Sequence, residues 1–255
     1  MLYLIGIGLK PEHLTLEALN AIKKCKKIYL EAYTSKYAEG SVKELEKIIG
    51  AKLVELGRKA VEEGFESALT EAKKEDIALL IYGNVFSATT HVQLLLDAKE
   101  KNIIVETIPG ISIFSFLGKT GLSEYKFGRT VSIVFWQENY KPESFYDKIL
   151  DNYSNSMHTL CLLDIKKEAK EERLMKPKEA LEILQGIAKE RSGHIFDNTL
   201  IGIISKAGAE DEKIVFGKIQ DLIKMEFDTP ACLIVCAQLD EKEKEALELW
   251  KKYSG

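Results

Sequence analysis

Ile77-Ala-Leu-Leu-Ile-Tyr82, followed by Gly83-Asn-Val-Phe-Ser-Ala-Thr-Thr-His91, is the stretch on which the reading of the fold turns. The first six residues form an unbroken apolar run with no polar alternation. That is the pattern of a strand buried on both faces, as in a parallel sheet. Small polar residues follow, then Ala88 to Lys101, which reads as a helix. A parallel neighbour requires such a crossover.

The same alternation extends outward on both sides. Leu2-Tyr-Leu-Ile-Gly-Ile-Gly8 reads as a buried strand ending in glycines. From Thr15 to Lys24, Leu16, Leu19, Ala21 and Ile22 fall near helical spacing, with Thr15 as N-cap. Lys27 to Ala32 and Leu53 to Leu56 are strand-like. Between them Ser41 opens a helix carrying Val42, Leu45, Ile48 and Ile49, closed by Gly50. Phe65 to Ala72 reads as a helix and Ile103 to Ile108 as a strand. Strand and helix in alternation predict an α/β domain with a mostly parallel sheet.

The second half is less regular. Val131–Phe135, His158–Ile165, Thr199–Ser205, Ile214–Phe216 and Cys232–Ala237 are strand candidates. Lys178–Lys189 and Glu241–Lys252 read as helices, and Lys166–Lys178 as a charged loop. Some successive strands are too close for a crossover helix, so a mixed sheet with antiparallel pairs is expected. The boundary is expected near Tyr125–Gly128, giving two α/β domains, 1–126 and 127–255.

Composition bounds the function. The 255 residues include 36 basic and 40 acidic side chains, a net charge of -4, which argues against a general nucleic-acid binder. No stretch approaches the ~20 apolar residues of a membrane span, and no signal peptide is visible, so a cytoplasmic protein is expected. Cys25, Cys161, Cys232 and Cys236 form no C-x-x-C pair, so no metal site is expected.

Three loops stand out. Gly6-Ile-Gly8 begins a G-x-G-x-x-G pattern, but position 11 is Pro11, so the dinucleotide cradle is incomplete. The alternatives are a tight loop near another ligand and a plain turn. In Gly83–His91, Ser87, Thr89 and Thr90 are candidate helix caps and His91 a helix-face residue. The competing reading is a ligand loop at a strand's carboxyl end. Pro109-Gly-Ile-Ser-Ile113 lacks the last glycine of a nucleophile elbow, because position 114 is Phe114. Ser112 is then a helix cap or a ligand hydrogen-bonder.

Leu4-Ile-Gly-Ile-Gly-Leu9, Gly83–His91 and Pro109-Gly-Ile-Ser112, in this order, resemble the tetrapyrrole-methylase class of S-adenosylmethionine (SAM)-dependent methyltransferases. Within it the resemblance is to the diphthine synthase family. Glu31-Ala-Tyr-Thr-Ser35 is similar to that family's E-F-Y-T-S, and Thr120-Gly-Leu-Ser-Glu-Tyr-Lys-Phe-Gly128 to its T-G-L-x-x-Y-K-F-G. His158-Thr-Leu-Cys-Leu-Leu-Asp-Ile-Lys166 is similar to its H-T-L-x-x-L-D-I-K. Lys206-Ala-Gly208 and Leu233-Ile-Val235 stand where the family has R-A-G and L-I-V.

The resemblance implies two α/β domains of the tetrapyrrole-methylase type with SAM in the cleft between them, and a homodimer. Phe114 and Phe116, expected on a helix after the third loop, are apolar surface candidates. The implied reaction is repeated N-methylation of a modified histidine on translation elongation factor 2. The implied SAM contacts are Leu9, Asn84, Ser87, Ser112, Ile113, Leu163, Ala207 and Ala231. Asn84 stands where the family has Asp, Val85 where it has Pro, Ser87 where it has an aliphatic residue, and Ala231 where it has His. Exchanging a carboxylate for an amide beside a cationic ligand removes a charge attraction but keeps hydrogen-bonding capacity.

Methyl transfer from a sulfonium asks the protein mainly to align donor and nucleophile. An attacking amine must be neutral, so a deprotonation route is needed. Tyr33, Ser35 and His91 lie near matching segments, but no catalytic residue is assigned. Two alternatives stand beside this reading: a tetrapyrrole-class methyltransferase acting on a small molecule, and a non-catalytic divergent homologue. Asn84 and Ala231 motivate the latter.

Overall fold

The computed structural model describes residues 1–251 apart from 63, 169, 170 and 194. The chain divides into two compact units, Met1–Ser115 with Lys166–Glu172, and Phe116–Ile165 with Arg173–Gly255.

The first unit is built on β1 (Leu2–Gly6), β2 (Lys27–Glu31), β3 (Val54–Leu56), β4 (Ile77–Ile81) and β5 (Val105–Ile108). Their order is β3-β2-β4-β1-β5, with every pairing parallel. Successive side chains of a strand point to opposite faces, and here both faces are apolar. Leu2, Leu4, Ile77, Leu79 and Ile81 join one core, whereas Tyr3, Ile5, Ala78 and Leu80 join the other. This explains the unbroken runs. The helices are α1 (Leu16–Ile22), α2 (Val42–Ile49), α3 (Arg58–Glu62), α4 (Glu66–Ala72) and α5 (Val92–Glu100). Thr15 caps α1 by accepting from Ala18 N at 3.0 Å. Ser41 and Glu44 form a capping box on α2, and Gly50 ends it at φ 71.

Two expectations here need correction. The helix expected from Ala88 begins only at Val92, because Ala88 is left-handed at φ 57 and cannot continue a helix. Phe114 and Phe116 lie not on an α-helix but in a 3-10 turn, Ile113–Phe116, and both are half-buried.

The second unit carries a mixed sheet of β6 (Val131–Ile133), β7 (Thr159–Leu163), β10 (Leu200–Ser205), β11 (Lys213–Lys218) and β12 (Ala231–Val235), in the order β11-β10-β12-β7-β6. Only β6 and β7 pair in parallel. Helices α6 (Ser144–Ser154) and α7 (Pro177–Glu190) lay Phe145, Tyr146, Ile149, Leu181, Leu184 and Ile187 into the core shared with Ile201, Ile203, Leu233 and Val235. The short α8 (Ile195–Asn198) and α9 (Ile219–Leu222) and the terminal α10 (Glu241–Lys251) complete it. The expected end of that last helix, Lys252, lies outside the described residues.

The expected charged loop Lys166–Lys178 is a correction too. It holds most of a two-stranded sheet of β8 (Ile165–Glu168) and β9 (Glu171–Leu174) and the first residues of α7; positions 169 and 170 lie outside the described residues. Backbone pairing needs no apolar side chains, so the charge run concealed it. Helix α6 was not anticipated: its buried positions include the polar Asn152, which bonds both backbone groups of Arg129.

Candidate functional site

In the first unit three loops leave the carboxyl ends of β1, β4 and β5 and meet through glycines. Gly8 and Gly83 exchange backbone hydrogen bonds of 3.1 and 2.9 Å. A Cβ on Gly6 would lie 2.5 Å from Gly110 N, and one on Gly110 would lie 2.2 Å from Gly83 O. Gly8 and Gly83 are left-handed, at φ 76 and φ 71. No side chain separates the three turns, so the residues flanking them come together.

Leu9, Asn84, Ser87, Ser112 and Ile113 sit on these loops. Leu9 donates its N–H to His13 Nδ1 at 3.3 Å, and its carbonyl accepts from Ala38 N at 2.8 Å. Its backbone is spent and its side chain is half-exposed. Burial, then Lys10, pushes the His13 pKa down, consistent with a neutral ring that accepts. The side chains of Asn84, Ser87 and Ser112 make no hydrogen bond to another described residue. Ser112 is 7% exposed, and Asn84 and Ser87 are half-buried. Three uncommitted polar side chains at a sheet's carboxyl edge leave donors and acceptors for a ligand.

The Gly83–His91 loop is not fastened as a helix cap. Thr89 Oγ1 donates to the Val85 carbonyl at 2.7 Å, and His91 Nδ1 approaches the same oxygen at 3.1 Å. His91 occupies the N-cap position of α5 but makes no cap bond. The cap reading of Thr89 and the helix-face reading of His91 are thereby replaced.

Glu31, at the carboxyl end of β2, is fully buried. It accepts from the backbone N–H groups of Tyr33 and Thr34, both at 2.8 Å, and from Thr34 Oγ1. The Glu31–Ser35 motif therefore folds around its own carboxylate. Tyr33 is buried with the Arg58 guanidinium 5.3 Å from its ring centre, and His91 is 2% exposed. Of the three candidate bases only Ser35 is partly exposed. Nearby, Tyr37 and Tyr82 stack edge-on at 4.9 Å, both with pKa raised by burial.

Leu163, Ala207 and Ala231 belong to the second unit, and its sheet brings them to one end. Leu163 ends β7, and Ala231 begins β12 opposite Ser205. Ala207 lies in the turn after β10, between Lys206 at φ 52 and Gly208 at φ 83. Lys206 N donates to Pro230 O at 2.8 Å, which ties that turn to the entry of β12.

Deeper in this unit is a charged cluster that sequence reasoning missed. His158 is fully buried; its Nδ1 accepts from Ala237 N at 3.0 Å, so Nε2 carries the proton toward Glu243 Oε1 at 3.0 Å. Glu243 also accepts from Ser123 N and Asp240 N, both at 3.0 Å, and from Lys126 Nζ. Burial works against its charge. Lys126, the two N–H groups and His158 outweigh it and hold the carboxyl at about 2. Burial pushes the His158 imidazole down. Separations of 85 and 117 residues along the chain hid this cluster.

Compared with known proteins, residues 1–223 match the family of Tetrapyrrole (Corrin/Porphyrin) Methylases. The chain belongs to that family. Methyl transfer is the chemistry this tetrapyrrole methylase inherits. It is 41% identical over 251 residues to a diphthine synthase of Methanocaldococcus jannaschii, covering 97% of this chain and 98% of the relative. It is 37% identical over 271 residues to a diphthine methyl ester synthase of Homo sapiens, covering 98% and 95%. A crystal structure from Entamoeba histolytica superposes with a TM-score of 0.90 at 36% identity, covering 98% of each chain. A diphthine synthase crystal structure gives 0.87 at 29% identity, covering 98% and 96%. The tetrapyrrole-methylase fold expected from the motifs is thus the fold found. Among the described residues no helix is long and apolar enough to cross a membrane.

Proposed function

We propose that this methylase uses SAM to methylate the modified histidine of translation elongation factor 2 in diphthamide biosynthesis, in the cytoplasm. The observation that carries the reading is similarity along nearly the whole chain to proteins described as diphthine synthases and diphthine methyl ester synthases. The uncommitted side chains at the loop junction agree with it.

Asn84, Ser87 and Ser112 would hold the polar parts of SAM, with Leu9 and Ile113 supplying apolar contact; Leu163, Ala207 and Ala231 are the proposed contacts from the second unit. SAM brings a methyl group already activated by its sulfonium. The chain's part is to bind, orient and exclude water. Rigid glycine-backed loops suit that task, since their turns have little room to shift. His91 and Tyr33 are too buried to reach an incoming amine, so no proton acceptor is assigned to them.

A homodimer is part of the proposal. Val92 and Leu96, one turn apart on α5, are 52% and 50% exposed, and Ile104 before β5 is 71% exposed. Apolar side chains of that size gain from a partner surface.

The test is methyl transfer from labelled SAM to elongation factor 2 carrying the unmethylated modified histidine, with the product weighed by mass spectrometry. Mass increments on that histidine support the proposal, and their number separates amine methylation from added ester formation. Transfer to a small tetrapyrrole alone, or SAM binding without transfer, would replace it.

A further inference from the structure

The Gly83–His91 loop carries two of the proposed ligand contacts, Asn84 and Ser87, on either side of Val85. Val85 itself is 1% exposed and packs into the first unit's core. Beyond Gly83, its carbonyl is where the loop's side chains fasten: it accepts from Thr89 Oγ1 at 2.7 Å and lies 3.1 Å from His91 Nδ1. The other fastening within the turn, Ser87 N to Asn84 O, is long at 3.3 Å. The loop also holds Ala88 in the left-handed region at φ 57 without being glycine. A conformation of that kind persists only where surrounding contacts over-determine it.

We infer that His91 is a positioning residue for the ligand, acting through the Val85 carbonyl to aim Asn84 and Ser87. A carbonyl oxygen only accepts, so Nδ1 carries the imidazole proton and donates to it. Nε2 is the ring's other polar atom. It is buried, and it has no hydrogen-bond partner among the described residues. A buried polar atom without a partner is costly. A histidine kept solely to fill space would be better replaced by leucine; what leucine cannot supply is the Nδ1 donor. The ring also makes no cap bond to α5. Among the described residues, the loop bond is the one hydrogen bond the His91 ring makes.

The inference rests on the proposed SAM site, and its test separates the two. Asn places an amide N–H near the Nδ1 position, whereas Gln reaches toward Nε2 and Leu offers no donor. His91→Leu and His91→Gln should weaken SAM binding by roughly five- to tenfold in calorimetry, as expected for one lost hydrogen bond behind the loop. His91→Asn should restore it to within about twofold. With elongation factor 2 as substrate, KM for SAM should rise in the Leu variant while kcat stays near the wild-type value. Hydrogen exchange of the ligand-free protein should show faster exchange over 84–91 in His91→Leu and slow exchange in His91→Asn. Equal SAM affinity and equal exchange in Leu and wild type would overturn the inference. So would an Asn variant that is folded but as impaired as Leu. A wild-type chain that binds no SAM would overturn the reading of the site instead, and the exchange comparison would then decide the role of His91 alone.

Discussion

A methyl group on Gly110 would sit 2.2 Å from the carbonyl oxygen of Gly83. The oxygen belongs to backbone and the position of a Cβ is set by its own backbone, so neither can rotate aside. Gly110→Ala is therefore expected to destabilise the protein at or above the upper end of the roughly 1–3 kcal/mol of ordinary overpacking. Urea unfolding measures it, as a lowered midpoint at unchanged slope. A midpoint equal to wild type would show that the three loops are not in mutual contact.

Gly186 gives the opposite sign. It lies inside α7, has no positive φ, and a Cβ there would meet nothing within 4 Å. Gly186→Ala should add about 1 kcal/mol by relieving the entropy of a helical glycine. A loss of stability in the same urea assay would contradict the open space.

Asn84 makes no hydrogen bond to a described side chain, so its replacement disturbs little. If the site holds SAM, Asn84→Asp should tighten it about two- to fivefold at low salt, matching roughly 0.5–1 kcal/mol for a partly exposed charge pair. The gain should shrink as salt is raised. S-adenosylhomocysteine, which lacks the sulfonium charge, should gain less if that charge is the partner. Calorimetry showing weaker SAM binding by a folded Asn84→Asp chain would mean the loop is built around the amide.

Acid should act on the second unit through Glu243 and His158. The Glu243 carboxyl is held at about 2, below its unfolded value of roughly 4.3. A lowered pKa contributes stability that is complete above the unfolded value and disappears as pH falls through the folded one. His158 is also lowered, so it too favours the fold above about 6.5 and opposes it when forced to protonate. Stability should thus decline below about pH 6 and steeply below about 4.5. Glu243→Gln should cost on the order of 3 kcal/mol at pH 7 and flatten that acid limb. Parallel pH curves for variant and wild type, from urea melts between pH 7 and 4, would remove Glu243 from the explanation.

The proposed homodimer predicts a light-scattering mass of twice 28.7 kDa at micromolar concentration. Leu96→Lys, placing a charge on the exposed face of α5, should shift that mass toward one chain without lowering the unfolding midpoint. A single-chain mass for the wild-type protein would rule the dimer out.

Much of the fold was readable from the residues because both faces of the first sheet are buried. Ile77–Ile81 announced itself as an unbroken run for that physical reason, and Thr15, Ser41 and Gly50 marked helix ends by local bonds that sequence alone can suggest. What escaped notice depends on partners distant along the chain or on backbone alone. The sheet of β8 and β9 is made of mostly charged residues, and α6 turns the polar Asn152 inward to satisfy Arg129. The loop positions were found through glycine and serine. Their arrangement was not, because the Val85 carbonyl that organises Thr89 and His91 is a main-chain atom without a letter in the sequence.

The family match ends at residue 223, but the architecture does not. Strand β12, the shared neighbour of β10 and β7, begins at Ala231, and the carboxylate that neutralises the Lys126–His158 cluster is at 243. A fragment cut at residue 223 would leave two strands facing a gap, with rows of peptide groups unpaired, the Lys126 ammonium without its carboxylate and the buried His158 N–H without its acceptor. Beyond the bounds of the family match, residues 231–243 supply the strand and the carboxylate that hold the second unit together from within.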